Sequence, residues 1–465
     1  MRRGAALVIA ALLLGGDGAA ALADGLPARL AAALDHPGLR GAKIGALVVR
    51  ADDGHVLFER GADELLVPAS NLKILTALAA LATLGPAHRF VTRVYADAPP
   101  GADGTVGALA VCGGGDPALT SEEWWRLAAD LRGRGLRRVR GDLIVDDTYF
   151  DQQRWNPGWD AVSARAFHAP VGALTANYGS FAVEVQPPRP NGAPPITLDP
   201  PVPFFELIDR TTPGGGALGV ERESAGTRDR IIVSGALPTG GEPVTVFRSV
   251  SDPARYAAAV LRMQLAAQGI VVDGRDRLAP VPSGFPEILA FEGKPLADIL
   301  RLLMKYSNNN IAEMLAKDLG AARSGPPGTW AKGVAAVRQQ LLALGVAAGG
   351  FQTVDGSGLS PSNRVTPRTL VGALRIARGS FTFGPEFESA LPVAGRDGTL
   401  SERAAGAADA VRAKTGLLNG AAALSGYARG ADDSELVFSL LINDYKRGDG
   451  DAMAGIDGFA AALVH

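Results

Sequence analysis

Three short polar patterns in this chain could together carry out nucleophilic catalysis, and the first is Ser70 followed by Lys73. The pair opens an apolar helical run, and residues three apart on a helix share one face. A serine hydroxyl becomes a useful nucleophile when a neighbouring base takes its proton. A lysine can be that base when burial or nearby positive charge lowers its pKa. Ser-x-x-Lys alone is a common pattern, so its meaning depends on the rest of the chain.

The second pattern is Ser307-Asn308-Asn309, at the end of an apolar helical stretch, and the third is Lys414-Thr415-Gly416, on a strand that opens a hairpin. Taken singly, the second is more often a polar helix terminus and the third more often a turn. All three in this order, each on a suitable element, match a known set of serine acyl-transfer motifs.

Each residue of the set can be given a chemical task. Ser70 would attack a carbonyl carbon while Lys73 accepts its proton. Ser307 could relay a proton to the leaving amine, and Asn309 could hold Lys73 and a substrate amide. Lys414 would add positive field, which keeps Lys73 neutral more easily and attracts a carboxylate.

The strand that carries the third pattern is expected to bind substrate. Thr415 could donate to a substrate carboxylate, and Gly416 would let a substrate backbone approach closely. An acyl peptide could then lie along this edge as an extra strand. The backbone N–H groups of Ser70 and Leu417 would hold the developing oxyanion.

Patterns at the two ends of the chain indicate one split domain. Early strands are expected at 43–50 and 55–59, before the Ser70 helix, and late elements follow residue 286. The late elements are helical patterns at 296–307, 310–319, 330–344 and 367–377, strand-like runs at 410–414, 421–427 and 436–442, and a final helix at 451–464. The expected fold class is α/β (α+β), with one antiparallel sheet covered by helices.

The middle of the chain has a different texture, with short β-like runs between turns rich in Gly and Pro. We therefore assign residues 24–90 and 286–465 to a split catalytic domain. Residues 91–285 form an inserted region, expected to comprise two small β-rich domains.

The N-terminus has the features of a signal peptide over residues 1–23. Arg2 and Arg3 precede an apolar run, and small residues at 21–23 could be cleaved. No later segment of about 20 apolar residues is present, so we expect at most peripheral membrane association. The protein is predicted to be exported and, after removal of the signal peptide, to be periplasmic, extracellular or cell-wall associated.

Composition excludes several other functions. A formal net charge of −2 over 465 residues gives no basic excess for nucleic acid. The single cysteine, Cys112, rules out an internal disulfide and a cysteine-rich metal site, and it is expected to be a small buried residue. The five histidines are scattered. We predict no metal and no cofactor.

The three motifs and their order make the chain resemble class C low-molecular-weight penicillin-binding proteins, the D-alanyl-D-alanine carboxypeptidase/endopeptidase group of serine peptidase family S13. The stretches 355–360 (DGSGLS) and 395–400 (GRDGTL) and the long insertion extend the resemblance. It implies a penicillin-binding transpeptidase-like domain with two inserted domains. It also implies cleavage of peptidoglycan stem peptides or their cross-links through an acyl-serine, and covalent inhibition by β-lactams.

The resemblance assigns catalysis to five matching positions, which are Ser70, Lys73, Ser307, Asn309 and Lys414. It assigns substrate binding to Thr415, Gly416, Leu417 and Asn419. Many relatives have a hydroxyl residue where this chain has Leu417, so a side-chain donor for the substrate carboxylate is missing. Residues 157–160 and 167–170 resemble the segment that receives the amino end of diaminopimelate, where Asp160 would pair with the ammonium.

Two other functions are compatible with parts of these patterns. A serine β-lactamase would need an efficient deacylation base, for which the sequence offers no convincing candidate. A non-catalytic peptidoglycan-binding protein would not need the five intact catalytic positions. Carboxypeptidase and endopeptidase preferences both fit the motifs, and the patterns carry no information on the oligomeric state.

Overall fold

A computed structural model describes residues 17–188, 192–214 and 216–465 of the chain. Residues 1–16 of the predicted signal peptide lie outside the described residues, and the first helix begins at Asp17, so the signal peptide remains a prediction. None of the helices in the described ranges combines the length and apolar character that crossing a membrane requires.

Helices of the described residues come in chain order and surround the sheets. They are α1 (Asp17–Leu34), α2 (Leu72–Leu84), α3 (Ser121–Gly133), α4 (Pro253–Ala267), α5 (Leu296–Lys305), α6 (Asn309–Ser324), α7 (Trp330–Ala343), α8 (Pro367–Gly379), α9 (Gly384–Ala390) and α10 (Asp449–Val464).

The strands are mostly short. They are β1 (Lys43–Arg50), β2 (Val56–Arg60), β3 (Arg89–Ala96), β4 (Thr105–Val106), β5 (Leu109–Cys112), β6 (Arg138–Val139), β7 (Leu143–Asp146), β8 (Ser180–Val185), β9 (Ile196–Asp199), β10 (Phe205–Thr211), β11 (Gly219–Ala225), β12 (Arg228–Gly235), β13 (Val244–Ser249), β14 (Val271–Val272), β15 (Asp276–Leu278), β16 (Glu287–Pro295), β17 (Phe351–Gln352), β18 (Arg364–Val365), β19 (Val411–Leu418), β20 (Ala421–Arg429) and β21 (Glu435–Asn443).

The main sheet joins the two ends of the chain, in the strand order β19-β20-β21-β1-β2. Every neighbouring pair is antiparallel, and Lys43 of β1 lies opposite Asn443 of β21. The expected fold class, one antiparallel sheet built from early and late strands, is confirmed. The late strands are longer than the sequence pattern predicted, as β19 runs on to Leu418.

Both faces of this sheet are covered, which explains why the interior of β1 is buried without alternation. Leu47 packs in a core with the apolar face of α2 on one side of the sheet. Val48 packs on the opposite side with Leu30 of α1 and Phe459 of α10. Helix α2 is buried from its first residue through Leu81, because it lies inside the larger core.

The inserted region is attached through two adjacent strands. Strand β3 enters it and β16 leaves it, and the two pair antiparallel within a five-stranded mixed sheet, in the order β15-β7-β5-β3-β16. Three smaller sheets and helices α3 and α4 complete the region. One apolar core runs through it, from Val94 to Phe291. Its division into two domains, and the boundaries at 91 and 285, remain predictions.

Candidate active site

The turn that carries Ser70 is tied to strand β19. Residues Ala69–Asn71 form a single 3-10 turn that leads into α2. Ala69 has a left-handed φ of +47°, which costs a non-glycine residue about 1 kcal/mol. The Asn71 side chain donates to the backbone carbonyl of Lys414 at 3.0 Å. The first and third motifs are therefore in direct contact, although they are far apart in the sequence.

Lys73 is completely buried, and its Nζ is held by three oxygens, each at 2.8 Å. They are the Ser70 Oγ, the Asn309 Oδ1 and the backbone carbonyl of Ser357. The carbonyl can only accept a hydrogen bond. The Asn309 oxygen also accepts, because the amide nitrogen of the same side chain donates to the carbonyl of Phe167 at 3.0 Å. Two of the three hydrogen-bond positions around the Lys73 nitrogen are therefore occupied by oxygens that can only accept.

The third position faces the nucleophile. A neutral amine has two N–H donors and one lone pair, so the two acceptors take both donors. The lone pair of Lys73 then points at the Ser70 hydroxyl and can receive its proton. Burial lowers the pKa of Lys73 to about 7, against the opposing effect of the carboxylates of Glu313 and Asp355. The neutral base is therefore well populated near neutral pH.

Lys414 is buried beside this centre on β19. Its Nζ donates to the backbone carbonyl of Thr415 at 2.8 Å. Burial, and then the charge of nearby Lys73, holds the pKa of Lys414 well below its usual range. A charge on Lys73 therefore disfavours protonation of Lys414.

The second motif lies at the junction of α5 and α6. Ser307 has a left-handed φ of +57°, and Asn308 caps α6 by accepting a hydrogen bond from the N–H of Ile311 at 3.1 Å. These turns place Asn309 on the first turn of α6. Asn310 donates to the carbonyl of Pro170 at 3.1 Å. The inserted region therefore holds Asn309 and Asn310 through the backbone carbonyls of Phe167 and Pro170.

The outer edge of β19 is partly free. Val411 and Ala413 use their outward backbone groups to pair with Ala394 and Pro392. Because backbone groups alternate sides along a strand, Thr415 and Leu417 also point their N–H and C=O groups away from β20. No strand of the described residues pairs with them there. This open segment adjoins Ser70, as a substrate strand would require.

The side chains of the third motif differ in their surroundings. Thr415 donates to the hydroxyl of Thr399 at 2.7 Å, in the 395–400 stretch. A Cβ at Gly416 would lie 3.0 Å from the Asn71 side chain and from the carbonyl of Pro68. Glycine at 416 thus leaves room for the turn that carries Ser70. The sequence had suggested a different reason for this glycine, the close approach of a substrate backbone.

The remaining expected substrate-binding residues are exposed. The Leu417 side chain is 47% exposed, and Asn419 is exposed in the β19–β20 turn. Asp160 is also exposed, on a segment of the inserted region that contacts the 355–360 loop. Its neighbour Trp159 donates to Asp355 at 3.1 Å. A role of these three side chains in substrate binding remains a prediction.

The sequence analysis did not single out three residues that contribute to the site. Ser357 contributes only its backbone carbonyl to Lys73, and the buried Glu313 and Asp355 bind the loop that carries it. The DGSGLS stretch was recognised only as a family signature.

Cys112 is half-buried, and burial raises the pKa of its thiol to about 12, which keeps the thiol protonated and unreactive.

The fold and this geometry are those of a serine acyl-transfer enzyme, with Lys73 placed where a base would be needed. Residues 26–463 match the model of the D-Ala-D-Ala carboxypeptidase 3 (S13) family. The D-alanyl-D-alanine carboxypeptidase of Actinomadura sp. (strain R39) is 39% identical, over 96% of this chain and 87% of that relative.

Solved structures give the same result. Penicillin-binding protein 4 (dacB) from Haemophilus influenzae aligns with a TM-score of 0.78 at 26% identity, over 93% of this chain and 98% of that one. Its complex with a β-lactam aligns with a TM-score of 0.73 at 26% identity, over 94% and 98%. The chain belongs to the S13 family, and it is a serine-type D-Ala-D-Ala carboxypeptidase.

Proposed function

We propose that this enzyme cleaves the terminal D-Ala, or a D-alanyl cross-link, of peptidoglycan stem peptides through an acyl intermediate on Ser70. The observation that carries the proposal is the contact of 2.8 Å between the Lys73 Nζ and the Ser70 Oγ. The other two positions on that nitrogen face obligatory acceptors, so a neutral Lys73 is already aligned as a base.

Acylation would proceed in two proton-coupled parts. Lys73 takes the hydroxyl proton while the Ser70 Oγ forms a bond to the carbonyl carbon of the scissile amide. The oxyanion accepts hydrogen bonds from the N–H groups of Ser70 and Leu417. The proton on Lys73 then passes through the Ser307 hydroxyl to the leaving nitrogen, and the carbon–nitrogen bond breaks. Water later hydrolyses the ester and restores Ser70.

Substrate would bind as an added strand on the open segment of β19. Its backbone would pair with the outward groups of Thr415 and Leu417, as in other cases of β-strand addition. When it is protonated, the Lys414 amine would favour a C-terminal carboxylate at this edge. Asn309 would share its amide between Lys73 and the substrate. Asp160 and Asn419 are further out and would contact the stem peptide.

A β-lactam would acylate the same serine. Its strained amide presents the carbonyl carbon to the Ser70 Oγ, and ring opening leaves the nitrogen attached to the acyl group. The complex of the Haemophilus relative with a β-lactam supports this extension. We also propose that the protein is exported by its signal peptide and works in the periplasm or the cell wall.

The test is D-Ala release from a stem pentapeptide and cleavage of a cross-linked dimer, with wild-type enzyme and Ser70→Ala. We expect release by the wild type and a loss of at least about a thousandfold in the variant. Unchanged release by Ser70→Ala would disprove the mechanism. Fast nitrocefin turnover without peptide cleavage would support the β-lactamase alternative instead.

A further inference from the structure

Two fully buried carboxylates lie behind the catalytic lysine, and neither belongs to the three motifs. Glu313 is on α6, one turn beyond Asn309, and Asp355 begins the loop of residues 355–360. The charges of both raise the pKa of Lys73. They are joined through the loop whose Ser357 carbonyl binds the Lys73 amine.

The hydrogen bonds of Glu313 are specific. Its Oε1 accepts from the backbone N–H of Ser357 at 2.9 Å. Its Oε2 accepts from the N–H of Gly356 at 3.1 Å and from the indole N–H of Trp330 at 2.7 Å. All three partners can only donate, so the ionised carboxylate fits this site, whereas a protonated acid would place its hydrogen against a donor.

Asp355 binds the loop from the other side. It accepts from the N–H groups of Gly358 and Ser360 at 2.9 and 2.7 Å. The side chains of Asn363 and Trp159 also donate to it, at 2.9 and 3.1 Å. The peptide unit that offers its carbonyl to Lys73 is therefore fixed between two carboxylates.

The same loop presses on the nucleophile turn. Gly358 has a φ of +84°, and a Cβ there would lie 1.8 Å from the carbonyl oxygen of Ala69. One loop thus sets the position of both reacting partners, Lys73 through the Ser357 carbonyl and Ser70 through the turn before it.

We infer that Glu313 is a positioning residue for the acylation step, which orients the Ser357 carbonyl toward Lys73 and supplies the negative charge that balances the buried amine. This inference rests on the proposed role of Lys73 as base. It separates two contributions of one side chain, a steric one through the loop and an electrostatic one through its charge.

The charge effect has a defined sign. The charged or titratable groups around Glu313 are Lys73, Lys317 and Asp355, and Lys414 lies beyond Lys73. Burial, and then the charge of Asp355, raises the pKa of Glu313, opposed by its three donors. While ionised, it keeps the pKa of Lys73 from falling further. Without that charge, Lys73 loses its proton at a lower pH. The acidic limb of the pH–rate profile, where the acylation rate rises as Lys73 is deprotonated, therefore moves to lower pH.

The experiment measures the second-order rate constant for acylation by benzylpenicillin from pH 5 to 9 in wild type, Glu313→Gln and Glu313→Asp. For Glu313→Gln, we expect a lower plateau and an acidic limb about one pH unit lower or more. Glu313→Asp keeps the charge but shortens the reach, so its plateau should fall while its limb stays in place.

Asp318→Asn is the matched control, because Asp318 is a fully buried acid on the same helix that is not among the groups acting on Lys73. Its limb should coincide with that of the wild type. An unmoved limb in a folded Glu313→Gln, or a limb that moves equally in Glu313→Asp, would overturn the inference. A wild type that penicillin does not label on Ser70 would instead contradict the proposed function itself.

Discussion

The side-chain amide of Asn309 bridges the carbonyl of Phe167 and the amine of Lys73, at 3.0 and 2.8 Å. Phe167 belongs to the inserted region, whereas Asn309 and Lys73 belong to the domain around the main sheet. The inserted region therefore fixes which end of the amide faces the catalytic base. This contact gives the insertion a part in the chemistry, in addition to any contact with substrate.

Asn309→Asp should change the pH dependence of acylation. The carboxylate keeps an acceptor for Lys73 but adds negative charge beside it, which raises the pKa of Lys73. Since the base works only when neutral, the acidic limb should move to higher pH, and the rate at pH 7 should fall by about tenfold to a hundredfold. Acylation rates measured with benzylpenicillin across pH test this.

Asn308→Asp is the control for that variant. Asp caps a helix as well as Asn does, so the N-cap bond to Ile311 should persist. A limb displaced equally in Asn308→Asp would show that general charge, and not the contact with Lys73, is responsible.

Gly358→Ala should damage both stability and catalysis. The added Cβ would collide with the carbonyl of Ala69, and a φ of +84° is strained for alanine. We expect a loss of at least about 2 kcal/mol in the free energy of unfolding and slower acylation of Ser70. Position 349 has open space for an added Cβ and no left-handed φ. Denaturant-unfolding curves of Gly349→Ala should therefore match those of the wild type. Equal melts for both would refute the assignment of Gly358.

Leu417→Thr should restore a donor for a substrate carboxylate at the open edge of β19. One hydrogen bond to a charged group would raise kcat/KM for D-Ala release from a pentapeptide by about tenfold. Valine has nearly the same shape as threonine but no hydroxyl, so Leu417→Val should give no gain. A dimer cross-linked through the side-chain amine of lysine has no carboxylate next to the leaving nitrogen, so its cleavage should not improve. A gain with Val equal to that with Thr would exclude the proposed hydrogen bond.

Asp318→Asn should stabilise the protein in a pH-dependent way. Both carboxylate oxygens of Asp318 are buried without a hydrogen-bond partner among the described residues. Burial, and then the charge of Asp116, raises the pKa of Asp318 well above its usual value.

A carboxyl group with a raised folded-state pKa contributes stability below its unfolded pKa of about 3.9 and loses it as pH rises through the folded pKa. Asn removes this loss. Thermal melts should therefore show little difference at pH 4 and a gain of about 1–3 kcal/mol at pH 8 or above. A gain in stability that does not depend on pH would contradict the claim that ionisation of the buried Asp318 carboxyl destabilises the protein.

The sequence was most informative where side-chain type carries the chemistry. Ser70, Lys73 and Asn309 were predicted from their motifs, and the structure brings them within hydrogen-bonding distance. The antiparallel sheet was also predictable, because the early strand 43–50 and the late strand-like runs have clear apolar patterns and the insertion separates them.

The parts that the sequence did not reveal depend on backbone atoms or on burial. The carbonyls of Phe167 and Ser357 bind the catalytic side chains, and any residue type has a carbonyl. Glu313 resembles an ordinary helical glutamate until packing buries it completely. The reason for glycine at 416 was also hidden, since it depends on how closely the Ser70 turn approaches β19.

The most direct test of the central claim is peptide mass spectrometry of the protein after reaction with a fluorescent penicillin. We expect one acyl group per chain, on the peptide that contains Ser70, and no label on Ser70→Ala. Labelling should slow below pH 7 as Lys73 becomes protonated. A label on another residue, or persistent labelling of Ser70→Ala, would contradict the assignment of Ser70 as the nucleophile.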